Sequence, residues 1–236
     1  MRFSLFQRIT RTVADIIFPV ECVGCGKGGF FICDTCLSRI QTFPVHFCHY
    51  CKKPQAFGQT CSNCQKRLRL NGLYNLAPYD QKILKDAIHA WKYERVKELG
   101  NILGVYLAKH IIRASHPFLN CSIITSIPLA RQKQFDRGFN QSTQIARVLS
   151  KHLHIPFQET LIRTRNTKSQ FALPKIQREL NVKNAFAVRK DMKLQDTSIL
   201  LVDDVTTTGA TLEEACGTLK EAGTVSVYGI AIAHGM

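Results

Sequence analysis

Hydrophobic positions follow different rules in different parts of the chain. From about residue 76 onward they alternate between two periods. Ile83, Leu84, Ala87, Ile88 and Trp91 recur at helical spacing, as do Leu99, Ile102, Leu103, Tyr106 and Leu107. Apolar runs too short for helices occupy residues 122–127, 198–202 and 225–233, and helical patterns fill about 140–153 and 212–222. That order predicts an α/β fold, with parallel strands joined by crossover helices. At the start of the chain Phe3, Phe6, Ile9, Val13, Ile16 and Ile17 also fall near the helical period, which predicts an amphipathic helix over residues 1–20. Arg8, Arg11 and Asp15 interrupt it, so it does not read as a secretion signal. Its apolar stripe would dock on the rest of the protein, on a partner or on an anionic membrane surface.

Composition narrows the class without naming a function. The 236 residues are 45% hydrophobic and 21% charged, which excludes a disordered or low-complexity chain. No apolar run approaches the roughly 20 residues that cross a bilayer, so no transmembrane span is expected. Charge is more telling. The 32 Lys and Arg exceed the 17 Asp and Glu by 15, and the excess is uneven: +7 over residues 1–75, +3 over 76–130, +10 over 131–193 and −5 over 194–236. Two basic blocks on one chain suit a phosphate-rich partner.

Residues 21–70 follow neither period and carry cysteines instead. Eight of the ten cysteines form four Cys-x-x-Cys pairs: Cys22 and Cys25, Cys33 and Cys36, Cys48 and Cys51, Cys61 and Cys64. A two-residue gap turns both thiolates to one side, and two such turns complete a tetrahedral sulfur shell, so eight ligands predict two structural zinc ions. Sequential sites are favoured, Cys22, Cys25, Cys33 and Cys36 for one ion and Cys48, Cys51, Cys61 and Cys64 for the other; a crossed pairing fits the same spacing. The segment after Cys36 reads as a helix and the other three pairs as turns. A disulfide framework is disfavoured by the large cysteine-poor remainder, and redox or iron–sulfur chemistry would not use all four pairs. His46 and His49 find no vacancy in a complete thiol set, and Cys121 and Cys216 read as buried apolar side chains. With zinc bound, the net charge becomes about +11.

The chemistry-bearing motif is Ile199-Leu-Leu-Val-Asp-Asp-Val-Thr-Thr-Thr-Gly-Ala-Thr-Leu212. A buried strand ends in Asp203 and Asp204, and a loop of small residues opens a helix. Backbone N–H groups at Gly209 and Ala210, the hydroxyls of Thr206, Thr207, Thr208 and Thr211, and the helix N-terminus together make a cradle for a monophosphate. The two carboxylates would repel that phosphate in contact but suit vicinal hydroxyls or a metal a few ångströms away. Ribose 5-phosphate carries both groups. No G-x-x-x-x-G-K-[ST] or G-x-G-x-x-G accompanies the strand, which argues against a nucleotide triphosphatase or a dinucleotide fold.

The segment from Val202 to Thr211 resembles the phosphoribosyl-pyrophosphate signature of type I phosphoribosyltransferases. The whole chain is similar to the ComF/GntX group, a double zinc ribbon at about 21–70 followed by a phosphoribosyltransferase-like domain at 76–236. Ile127-Pro-Leu, Arg137-Gly-Phe-Asn-Gln141, Arg163, Thr167, Gln170, Leu173, Arg178, Asn181, Val182 and Phe186 follow in the group's order. The resemblance implies that Asp203 and Asp204 hold ribose hydroxyls, directly or through Mg2+, and that the Thr206–Thr211 loop holds the 5-phosphate of phosphoribosyl pyrophosphate. Pro128, Leu129, Ala130 and Arg131 would form the pyrophosphate loop, with Arg137 and the 163–178 stretch closing over the diphosphate. Catalytic roles would fall to Asp203, Asp204 and Arg137. Ala130 stands where relatives commonly carry histidine, so no histidine acts there. Trp91 and Phe139 are candidates for stacking on a base, although either also suits a core.

Three functions follow from the resemblance. One is cytoplasmic handling of incoming single-stranded DNA during natural transformation, alongside competence proteins such as a helicase. Another is catalysis of ribose 5-phosphate transfer to a base. The third is a GntX-like adaptor role for the zinc module.

Overall fold

A strand that is apolar on both faces needs cover on both sides, and the sheet is built around one such strand. The computed structural model describes residues 19–165 and 180–235. The strands among them are β1 (Gly72–Pro78), β2 (Ile123–Ser126), β3 (Leu161–Arg163), β4 (Phe186–Val188), β5 (Ser198–Thr206) and β6 (Ser226–His234). The helices are α1 (Asp34–Ser38), α2 (Ser62–Gln65), α3 (Lys82–Tyr93), α4 (Lys97–Arg113), α5 (Arg131–Arg137), α6 (Gln141–Leu153) and α7 (Ala210–Glu221). The helix read over residues 1–20 lies, up to residue 18, outside the described residues, as do Thr167, Gln170, Leu173 and Arg178.

β1, β6, β5 and β2 form a parallel sheet in that order, while β3 and β4 pair antiparallel beside it. Along β5, Leu200 and Val202 face a core shared with α3, α4 and α6, and Ile199 and Leu201 face a second core shared with α7 and β4. This is the expected α/β architecture of parallel strands and crossover helices, with the cysteine-rich module ahead of it. Three strands and the helix α5 escaped the periodicity. β1 pairs with β6 from Gly72 to Pro78, so the sheet takes in residues ahead of position 76. β3 and β4 are three residues each, and α5 buries no residue, so neither leaves an apolar period to read.

Trp91 is wholly buried between α3 and its neighbours, and its indole N–H donates to Gln144 Oε1 at 2.9 Å. Gly100 on α4 lies directly beneath that ring, where a Cβ would collide with the indole. Trp91 is therefore a core residue and has no face left for a base. Phe139 is partly buried, with the Lys97 ammonium 5.2 Å from its ring centroid.

The first ribbon is part of the main core. Cys22, Cys33 and Cys36 pack with Ile32 and Ile40 in the same cluster as α3 and α4, and Phe43 N–H donates to Leu76 O of β1 at 3.0 Å. The second ribbon joins the outer edge of β1, where Gln59 bridges Gly72 and Thr60 Oγ1 donates to Leu70 O at 2.6 Å. Gly58, at φ 71°, leaves no room for a Cβ against the Leu73 carbonyl, which fixes this approach.

Candidate functional site

The Sγ atoms of Cys22, Cys25, Cys33 and Cys36 lie within 4.8 Å of one another, and so do those of Cys48, Cys51, Cys61 and Cys64. The sequential grouping, not the crossed one, is the arrangement of the thiols. None of the ten cysteines forms a disulfide. These are sulfur tetrads that fit tetrahedral zinc with no open position for water. In each tetrad the second knuckle starts a helix: α1 begins at Asp34 and α2 at Ser62, so Cys61 and Cys64 sit on a helix start and not on the turn read from the sequence. His46 and His49 stand outside both tetrads.

At the carboxyl end of β5, hydrogen bonds position the aspartate pair. Asp203 Oδ1 accepts from Ser142 Oγ at 3.0 Å and from the Asp204 N–H at 2.8 Å. Asp204 Oδ1 accepts from the Val205 N–H at 2.6 Å, and its Oδ2 lies 2.8 Å from Lys92 Nζ. The Lys92 and Asp204 side chains are only 13% and 15% exposed, so this ion pair is largely shielded from water. Burial first, and then the neighbouring Asp204 carboxylate, push the Asp203 carboxyl up to about 7. Both oxygens of Asp204 are thus engaged, and a magnesium ion reaches that carboxylate only through water or by displacing the ammonium. Vicinal hydroxyls, which donate, match the acceptor character of the pair.

Lys92 and Ser142 escaped sequence reasoning because their partners are distant in the chain. The local signal for Ser142 was present in Arg137-Gly-Phe-Asn-Gln-Ser. Asn140 caps α6, its Oδ1 accepting from the Ser142 and Thr143 N–H groups at 3.0 and 3.4 Å, and its Nδ2 donates to Ile127 O at 2.9 Å. One side chain therefore fastens the start of α6 to the end of β2 and aims Ser142 at Asp203.

Beyond β5 the chain turns through Thr207 and Thr208 to Gly209, whose φ of 80° is left-handed, and α7 starts at Ala210. Thr208 Oγ1 accepts from the Ala210 N–H at 3.3 Å. Thr206 differs from its neighbours: it is buried as the last residue of β5, and its hydroxyl donates to Asn75 Oδ1 at 2.6 Å, with His234 Nδ1 at 3.2 Å. Its side chain serves the sheet, and the loop proper runs from Thr207.

On the other side of the aspartates is a cationic wall. Ala130 caps α5 and is buried, and Pro128 and Leu129 carry the chain to it from β2. Ala130, Arg131, Arg163, Thr164 and Arg165 line a pocket of about 220 Å³. Arg163 donates to Pro128 O at 3.2 Å and its guanidinium stands 5.3 Å from the Phe186 ring centroid. Arg137, at the end of α5, donates to Gln141 Oε1 at 3.0 Å and lies over Tyr93. Burial, followed by the nearby Arg137 and Arg163 charges, lowers the Lys133 ammonium from its ordinary value. Lys133 is thus a further cation within electrostatic reach of Asp204.

The second ribbon meets the loop through His49. A Cβ at Gly209 would stand 3.4 Å from His49 Cδ2, and His49 Nε2 is 3.8 Å from Glu213 Oε2. Burial, with help from Lys52, draws the imidazole down to about 4, so this contact is that of a neutral ring and not an ion pair.

Comparison with known proteins agrees with this geometry. Residues 13–65 match the double zinc ribbon domain and residues 140–234 the phosphoribosyl transferase domain. Competence protein F of Haemophilus influenzae is 30% identical over 227 residues, spanning 91% of this chain and 97% of that protein. The chain belongs to the ComF family. DNA utilization protein YhgH of Escherichia coli K12 is 32% identical over 205 residues, 85% of this chain and 88% of that relative. Competence protein ComFC of Bacillus subtilis is 28% identical over 207 residues, 81% and 79% of the two chains. Among the described residues of this ComF family member, no helix is long and apolar enough to cross a membrane.

Proposed function

We propose that this protein acts in the cytoplasm on incoming single-stranded DNA during natural transformation, gripping a sugar phosphate in its phosphoribosyltransferase-type pocket. The observation that carries the reading is the junction of β5 and α7. Paired carboxylates stand at one side of a Gly209-centred loop, and a helix N-terminus faces the same loop. In a strand, the free 3′-hydroxyl of the terminal nucleotide donates to the Asp203 and Asp204 pair, as both vicinal hydroxyls of a ribose would, and the phosphate accepts from backbone N–H groups at the start of α7. Competence and DNA utilization relatives support the biological setting. The basic excess of +10 over residues 131–193 supports a polyanion as partner. The test is salt-dependent binding of a labelled single strand. Log affinity should fall against log salt with a slope of about −0.7 for each phosphate contacted. Binding that is absent, or insensitive to salt, removes the DNA role.

A second reading is favoured by the arginine pocket beside the aspartates. Arg131, Arg163 and Arg165 there suit a leaving pyrophosphate, so the same site fits transfer of ribose 5-phosphate to an acceptor. Magnesium would supply neutralisation of the diphosphate charge. This chain's residues would hold the ribose through Asp203 and Asp204, and the departing anion through the arginines and Arg137. Pyrophosphate release from phosphoribosyl pyrophosphate that depends on an added nucleobase, and is lost in the Asp203→Ala/Asp204→Ala variant, would establish it. No release with any base leaves a binding site.

A further inference from the structure

A cavity of about 830 Å³ lies between the second zinc ribbon, β4 and α7. Thr208, Gly209 and Ala210 line it, but Asp203, Asp204 and the arginine wall do not. It therefore opens from the phosphate loop on the side away from the sugar hydroxyls, a place no step above uses. Its volume is that of a small-molecule site and far exceeds what one phosphate fills.

The lining has the chemistry of a nucleotide pocket. Arg67 and Lys183 bring cations that form no ion pair among the described residues, while the acidic residues are already engaged. Glu213 accepts from the Arg69 and Leu70 N–H groups, Glu214 from the Asn184 N–H at 2.6 Å, and Glu221 from Arg69 at 2.9 Å. Tyr50, 57% exposed, offers an aromatic face. His49, with its side chain 7% exposed, closes the inner end of the cavity beside Gly209.

We infer that this cavity holds the nucleoside on the 5′ side of the captured sugar phosphate, so that the phosphate loop grips the phosphodiester joining a strand's 3′-terminal nucleotide, its free 3′-hydroxyl toward the aspartates, to its neighbour, and not only a free monoester. The inference rests on the ribose-phosphate reading of the loop. In a strand the 5′-phosphate of one nucleotide continues into the 3′-oxygen of its neighbour, and the cavity begins where that oxygen would leave the loop. Tyr50 then stacks on the neighbouring base, and Arg67 and Lys183 face the next phosphate.

Calorimetry of the zinc-loaded full chain with thymidine 5′-monophosphate and with thymidylyl-(3′→5′)-thymidine separates the two ideas. The dinucleoside phosphate carries less charge, so without a second subsite it should bind no better. The expected result is about tenfold tighter binding of the dinucleoside phosphate, the worth of one stacked base. Tyr50→Ala should abolish that gain, leave the mononucleotide unchanged and retain full zinc content, and Arg67→Ala with Lys183→Ala should abolish the further gain that a 5′-phosphate on the dinucleotide brings. Equal or weaker binding of the dinucleoside phosphate overturns the inference, as does a stacking gain that survives Tyr50→Ala. If neither thymidine ligand nor ribose 5-phosphate binds, the underlying reading of the loop fails instead.

Discussion

Lys92 and Asp204 form a shielded ion pair, and breaking such a pair costs more than making it gains, because the survivor is left as an uncompensated charge. Lys92→Met should therefore destabilise the fold by about 3 kcal/mol in urea unfolding, with much of the loss recovered by adding Asp204→Asn. Asp203 works in the opposite sense. Its folded value of about 7 lies above the ordinary carboxylate range, so the native state holds the proton more tightly than the unfolded chain. The stability that this proton contributes is present in full below about pH 4 and is lost as the pH rises through 7. Asp203→Asn keeps an acceptor for Ser142 and the Asp204 N–H but cannot ionise. Between pH 4 and 7.5 the wild type should lose stability relative to this variant, and parallel stability curves would contradict the assignment. The pair is thus held under electrostatic strain.

At the scale of elements, one joint positions the site and another seats the core. Asn140 fastens α6 to β2, so Asn140→Ala should cost about 1 kcal/mol by loss of the cap and should also lower ribose-phosphate affinity through the misplaced Ser142. Circular-dichroism melting and calorimetry read the two effects separately. Gly100 lets α4 seat against Trp91, and Gly100→Ala should lower the melting temperature without touching the ligand. The elements that announced themselves in the sequence were those with long apolar periods. β5 was legible as an unbroken apolar run ending in two acids, and α3, α4, α6 and α7 as helical stripes. β1 was hidden because its residues Gly72, Asn75 and Pro78 interrupt the run, and α5 because it has no buried face. The turn between β5 and α7 was legible through Gly209 and its threonines. The exception was Thr206, whose hydroxyl is spent on Asn75 across the sheet. Lys92, Ser142 and His49 were not legible, since each acquires its role from a partner brought close only by the fold.

Across the whole molecule the two ribbons have different attachments and so should fail differently. The first shares the main core with α3 and α4, while the second stands against β1 and the phosphate loop. Each chain should carry two zinc ions, one for each thiol tetrad, by metal analysis. Cys36→Ser should lower that content to one and depress the melting temperature of the entire protein. Cys64→Ser should also leave one ion but act chiefly on ligand affinity, because His49 loses its place beside Gly209. Zinc-ribbon damage that leaves both properties intact would contradict this coupling.

The most direct test is isothermal titration of the zinc-loaded protein with ribose 5-phosphate, beside the Asp203→Asn/Asp204→Asn variant. Saturable binding of one equivalent, severely weakened in the variant although it folds with both zinc ions, is the predicted result. Absence of heat with the wild type, or equal affinity in the two proteins, would contradict the claim that the end of β5 recognises a phosphorylated sugar.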